Sequence, residues 1–99
     1  MLIDEFIKYV DMRDEMIREY FDGNAKDCFK SPEKKNLYLK LIRPIDKKIM
    51  VIANRIMKQE YHANTTTFIR VSDVYNSQEL GELYKDRKEE LKDLSEERA

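Results

Sequence analysis

The sequence predicts an all-α fold, a compact bundle of three to five helices. Three observations predict it. Apolar residues recur at helical spacing through three long segments. Charged residues make up 39% of the chain and apolar residues 41%, which suits amphipathic helices with crowded polar faces better than a sheet buried on both sides. Two glycines and two prolines are too little punctuation for many short strands. Ninety-nine residues are room for one domain. It is expected over 1–95, followed by a charged tail at 96–99 that has nothing to bury and frays.

The first helix is expected over 2–21. Ile3, Ile7, Val10, Ile17 and Phe21 form its stripe, and Phe6, Tyr9, Met16 and Tyr20 widen it. Asp4 and Glu5 suit the positive end of the helix dipole. Asp14 intrudes on the stripe. Asp22-Gly23-Asn24 ends the helix, with Gly23 able to take the left-handed conformation of a C-cap. Residues 24–30 read as a loop.

Ser31-Pro32-Glu33 is a helix start: a Ser N-cap, Pro at the first helical position and an acid behind it. The same run resembles a proline-directed phosphorylation site, but capping explains it without a kinase. An isoleucine-rich stripe then runs through Tyr38, Ile42, Ile45, Ile49, Ile52 and Ile56, with Pro44 inside it. A proline ring there clashes with the carbonyl of Lys40 and removes a hydrogen bond, at about 3 kcal/mol in an unadjusted helix. The expectation is a kink, or two helices over about 32–42 and 44–62 that face a common core. The alternation of Leu37, Leu39 and Leu41 offers a rival strand reading.

Asn64-Thr65-Thr66-Thr67 breaks the pattern. Residues near 67–71 form one short extended segment or one helical turn. Ser77 caps a last helix over about 78–95, with Leu80, Leu83, Tyr84, Leu91 and Leu94 on one side. Run antiparallel, the stripes of the first and last helices match residue for residue. Ile7 meets Leu94, Val10 meets Leu91, and the two intruders, Asp14 and Arg87, face each other.

Charge is segregated along the chain. Residues 1–27 carry a net −4, residues 28–70 a net +7, and residues 71–99 a net −4. Either the fold neutralises these blocks internally or a partner does. In the central block Lys40, Arg43, Lys47 and Lys58 fall on one side of a continuous helix, opposite the isoleucines, with Lys48 and Arg55 flanking them. These six are the candidate nucleic-acid-binding residues. The sequence pI of 5.9 argues against a typical nucleic-acid binder. Met50, Ala53 and Met57 lie beside the isoleucine stripe and broaden its apolar surface. They are read either as a central core face or as a partner-binding face, since Met adapts to varied surfaces.

Enzymatic chemistry has no signature here. Cys28 and His62 are each the single residue of their kind, so no His/Cys metal site is expected. There is no nucleophile motif and no Gly-rich phosphate loop. No cofactor and no small-molecule substrate are expected. A lone Cys, a non-basic start and no long apolar run point to a cytoplasmic protein without a membrane span. Phe, Tyr, Met, Ile, Asn and Lys total 41 residues against 15 for Gly, Ala, Arg and Pro, a bias of A/T-rich coding that suits a phage, a virus or a low-GC microbe. The expected function is a small non-catalytic interaction or regulatory protein that docks on a protein partner or self-associates, as in a homodimer. The alternative is a helical nucleic-acid-binding protein using the basic block 34–58.

Overall fold

The computed structural model describes residues 1–98. In order it contains α1 (Leu2–Phe21), a short 3-10 helix (Ala25–Phe29), α2 (Pro32–Leu41), α3 (Arg43–Tyr61), α4 (Val71–Tyr75) and α5 (Gln78–Arg98). The described residues contain no strand, as the all-α reading predicts.

Local signals place most of the boundaries. Asp22 and Gly23 both take positive φ, 52° and 79°, and turn the chain out of α1. Ser31 Oγ accepts the backbone N–H of Lys34 at 3.1 Å and caps α2. Ser77 Oγ accepts from Leu80 at 3.3 Å and caps α5. Pro44 divides the isoleucine stripe into two helices. Ile42 joins them and keeps near-helical angles (φ −96°, ψ −44°), so its N–H still reaches Tyr38 and its carbonyl still takes the N–H of Asp46. The isoleucines from the Ile42 joint through α3 therefore face inward, while α2 leaves Leu37, Tyr38 and Leu41 partly buried against Ile42 and its neighbours. The rival strand reading of Leu37, Leu39 and Leu41 is overturned, because all three lie in α2.

α3 is the centre of the molecule. Ile45, Ile49, Ile52, Ala53 and Ile56 pack with Phe6 and Val10 of α1, Val74 of α4, Leu80 of α5, and Phe68. A second cluster joins Ile17 and Phe21 to Cys28 and Ile42. The expected loop at 24–30 is thus a correction. Its 3-10 turn, capped by Asn24 on the N–H of Lys26 at 3.0 Å, buries Cys28 at 1% exposure and Asp27 at 9%.

The short extended segment expected near 67–71 is replaced by a loop and the start of α4 at Val71. With no neighbouring strand to pair with, its backbone bonds to a side chain instead. Asn54 Oδ1 accepts from the N–H groups of Thr67 (3.0 Å) and Phe68 (2.8 Å), and Asn54 Nδ2 donates to the Phe68 carbonyl at 3.0 Å.

The antiparallel seam between α1 and α5 is also corrected. α1 gives its stripe to α3, its largest helix contact, and α5 crosses α1 near Tyr84 and Arg87. Leu91 and Leu94, the expected partners of Val10 and Ile7, are 37% and 46% exposed. Arg87 pairs with Asp4 at 2.8 Å and with Glu90, not with Asp14. α5 runs on to Arg98, past the expected end at 95, and no residue from Lys88 to Glu96 is buried. This overhang fits a radius of gyration of 14.9 Å, against about 13 Å for a compact chain of this length. The molecule is a slab of 44 × 41 × 19 Å, two helix layers thick.

Candidate functional site

Two faces of α3 follow from its 100° per residue. The isoleucines, with Ala53 between them, point into the core. The opposite arc carries Arg43, Lys47, Lys48, Val51, Arg55 and Lys58, all exposed. That arc has five cations and no acid. The axial span from Arg43 to Lys58 is about 22 Å at 1.5 Å per residue. Lys40 is exposed too, but it lies on α2, across the Pro44 break, so the grouping of six on one continuous helix resolves into five on α3 and one on its neighbour.

None of these six makes an ion pair among the described residues. The internal pairing runs elsewhere. Asp4 and Asp11 of α1 pair with Arg87 and Lys88 of α5, which joins the two acidic blocks to each other. Asp27 takes Lys30 at 2.7 Å and Lys34 at 3.9 Å. The acid within the first turn of α3, Asp46, is 4% exposed and is held by Arg13 of α1 and by Tyr38 Oη at 2.7 Å. Internal pairing therefore removes an acid from the central block and leaves most of its cations in water.

The Asp46 cluster also fixes the helices relative to one another. Arg13 stands between Asp46 and the ring of Tyr75, 4.9 Å from its centroid, so α1, α2, α3 and α4 converge there. Burial pushes the Tyr38 hydroxyl up to about 12, and its bond to Asp46 adds to the effect. Both polar partners of Asp46 come from residues that sequence periodicity treats as stripe or surface, so this cluster had no local signal.

The groove between α1 and the basic arc is lined by Glu5, Tyr9, Lys47, Lys48, Val51 and Arg55. Lys8 and Lys48 hold their ammonium groups 5.5 and 5.2 Å from the Tyr9 ring centroid. Val51, 52% exposed, is the one aliphatic side chain at the centre of the arc.

The face read as a candidate for partner binding is placed differently. Ala53 is fully buried, and Met50 and Met57 are half-buried against the main core. Ala53 thus belongs to the core, and the two methionines border it with part of each side chain in solvent. The exposed apolar side chains lie elsewhere, at Phe29, Ile69, Leu91 and Leu94 among others.

Among the described residues, no group of three or more His, Cys, Asp or Glu could hold a metal ion. Cys28 is buried and burial pushes its thiol up, which works against a reactive thiolate. His62 is the left-handed C-cap of α3 (φ 55°) and is exposed. No described helix is long and apolar enough to cross a membrane.

Comparison with protein-family models, with curated proteins and with solved structures finds no match to this chain.

Proposed function

We propose that this protein binds nucleic acid through the solvent-facing arc of α3, by contacts to the phosphate backbone. The observation that carries this reading is the arc itself: Arg43, Lys47, Lys48, Arg55 and Lys58 over about 22 Å, with no acid among them and no ion pair among the described residues. Cations left in water, while the ion pairs of the fold form elsewhere, are available to displace the counterions of a polyanion. The arc favours nucleic acid over a lipid surface, because Val51 is its one aliphatic group and offers little to insert between acyl chains. Its side chains suit phosphates more than base edges. The amide of Asn54, one of two on that helix able to read adenine, is engaged by the Phe68 loop, which leaves Gln59 as the other.

Fluorescence anisotropy with a labelled duplex and a labelled single strand tests this. Binding should be insensitive to sequence, and the change of Lys47 and Lys48 to Glu should abolish it without altering the helical circular dichroism. Undiminished binding by that variant would remove the arc from the account.

A second reading, docking on a protein or self-association, is favoured by one observation. Leu91 and Leu94 continue the core stripe of α5 along its outer half, where they stand 37% and 46% exposed. Light scattering distinguishes the two. A dimer dissociated by Leu91→Glu supports the protein contact, and a monomer across the concentration range opposes self-association.

A further inference from the structure

Asp14, the acid on the apolar stripe of α1, lost its expected partner when Arg87 paired with Asp4. Its surroundings give it another use. In the corner between α1, α4 and α5 lies a pocket of about 210 Å³. Phe6, Val10, Val74 and Leu80 supply its apolar lining. The rings of Tyr75 and Tyr84 form its aromatic walls, and Phe6 meets Tyr84 edge to face with centroids 6.4 Å apart. Asp14 is the one charged side chain on the lining. The pocket opens to solvent past Asp14, Tyr75 and Gly81, which are all exposed.

The nearby cations are paired with other acids. Arg13 is bound to Asp46 and stands 4.9 Å from the Tyr75 ring centroid, and Lys88 reaches Asp11 and the Tyr84 hydroxyl and stands 5.1 Å from the Tyr84 ring centroid. Asp14 itself makes no ion pair among the described residues, and burial pushes its carboxyl above the ordinary range. An apolar cavity with aromatic walls and one unpaired carboxylate rejects anions. It also suits metal ions poorly, since these need several oxygen ligands. What fits is a weakly hydrated cation with an apolar surface, attracted by the ring quadrupoles and by the carboxylate together.

We propose that this corner pocket binds a small organic cation, an alkylated ammonium group, with Asp14 as its counter-ion and Phe6, Tyr75 and Tyr84 as its aromatic surround. The site lies on α1, α4 and α5, apart from the basic arc of α3, and does not depend on nucleic-acid binding. The ammonium group belongs either to a free amine or to a methylated lysine in a peptide, and the chemistry of recognition is the same.

The test is a titration followed by the NMR signals of Gly81 and Tyr84. The probes are tetramethylammonium, its neutral counterpart tert-butanol, free choline and a short peptide carrying trimethyl-lysine. The expected result is saturable shifts with tetramethylammonium and none with tert-butanol, and binding weakened on the order of tenfold by Asp14→Asn. Gly81→Leu should abolish binding in a folded protein, because a Cβ at Gly81 meets no atom within 4 Å and Leu favours the helix. Stronger binding of choline would assign the site to a free amine, and stronger binding of the peptide to a modified side chain. Equal shifts with the cation and the neutral probe, an unaffected Asp14→Asn variant, or no saturation by any cation would overturn the proposal.

Discussion

The guanidinium of Arg13 on α1 closes on the buried carboxylate of Asp46 on α3, and this contact withdraws the acid in the first turn of α3 from the surface that the helix presents. Asp46 is one of three acids in the block from 28 to 70. Held inside by Arg13 and Tyr38, it does not offset the exposed lysines and arginines of the same helix. A buried pair of this kind adds little net stability compared with an apolar replacement, but losing one partner is costly. Arg13→Met should therefore destabilise the fold by about 3–5 kcal/mol. Adding Asp46→Leu should recover most of that loss. Urea denaturation midpoints measure both, and a double variant no more stable than Arg13→Met would show that the pair is not what the cluster depends on.

Alkaline pH tests the same cluster from the side of Tyr38. Its hydroxyl is held up at about 12 against an ordinary 10. Below pH 10 the residue is neutral in both folded and unfolded chains, and its contribution is fully present. Between about 10 and 12 the unfolded chain ionises first, so stability falls as pH rises through that window. Tyr38→Phe should flatten the fall, as read from thermal midpoints across the range. Tyrosinate absorbance should show Tyr38 and Tyr75 titrating late, both held up at about 12, and this substitution should remove one of the two.

The crossing of α5 over α1 makes a prediction at the acid end. Arg87 donates to Asp4 and holds its carboxyl below the ordinary 3.8, whereas burial raises that of Asp14. Asp4 thus contributes stability above the ordinary carboxylate range, and that contribution is lost as pH falls through its lowered value. NMR titration of the two carboxyls should find Asp4 low and Asp14 high. Arg87→Gln should raise Asp4 and leave Asp14 in place. Movement of Asp14 instead would restore the antiparallel register that the spacing alone suggests.

Asn54 is the side chain on which the Phe68 loop depends. Asn54→Ala leaves the Phe68 N–H, at a residue 6% exposed, without its partner. A cost of about 2–3 kcal/mol is expected. Asn54→Asp keeps the acceptor and loses the donor to the Phe68 carbonyl, and should fall between. Hydrogen exchange at Thr67 and Phe68 reports the loop directly, and should rise in both variants.

These relationships separate what was legible in the chain from what was not. Ser31, Ser77, Pro44 and the isoleucine stripe act on their own turn of helix, so the boundaries of α2, α3 and α5 could be read from neighbours in sequence. The basic arc was legible for the same reason, as the geometric complement of the isoleucines. The seam between α1 and α5 was not. Two stripes with alternating three- and four-residue spacing match in several registers, and a third helix decided the matter by occupying the stripe of α1. Asn54 and Arg13 were illegible because their partners lie 14 and 33 residues away and leave no local pattern. Met50, Ala53 and Met57 read equally well as core or surface in the sequence, because a helical stripe does not show how far its neighbours reach around it, and the structure buries Ala53 and half-buries the two methionines.

The most direct measurement of the central claim is the salt dependence of nucleic-acid affinity. Five cations on the arc of α3 predict a slope of log K against log salt of about −4.5 on duplex DNA, at −0.9 for each phosphate neutralised, and Lys40 beside them extends it to about −5.4. The slope should shrink by about one for each of Lys47, Lys48, Arg55 and Lys58 changed to Gln. A slope near zero, or one that these changes leave untouched, would contradict the claim that α3 presents its unpaired cations to a phosphate backbone.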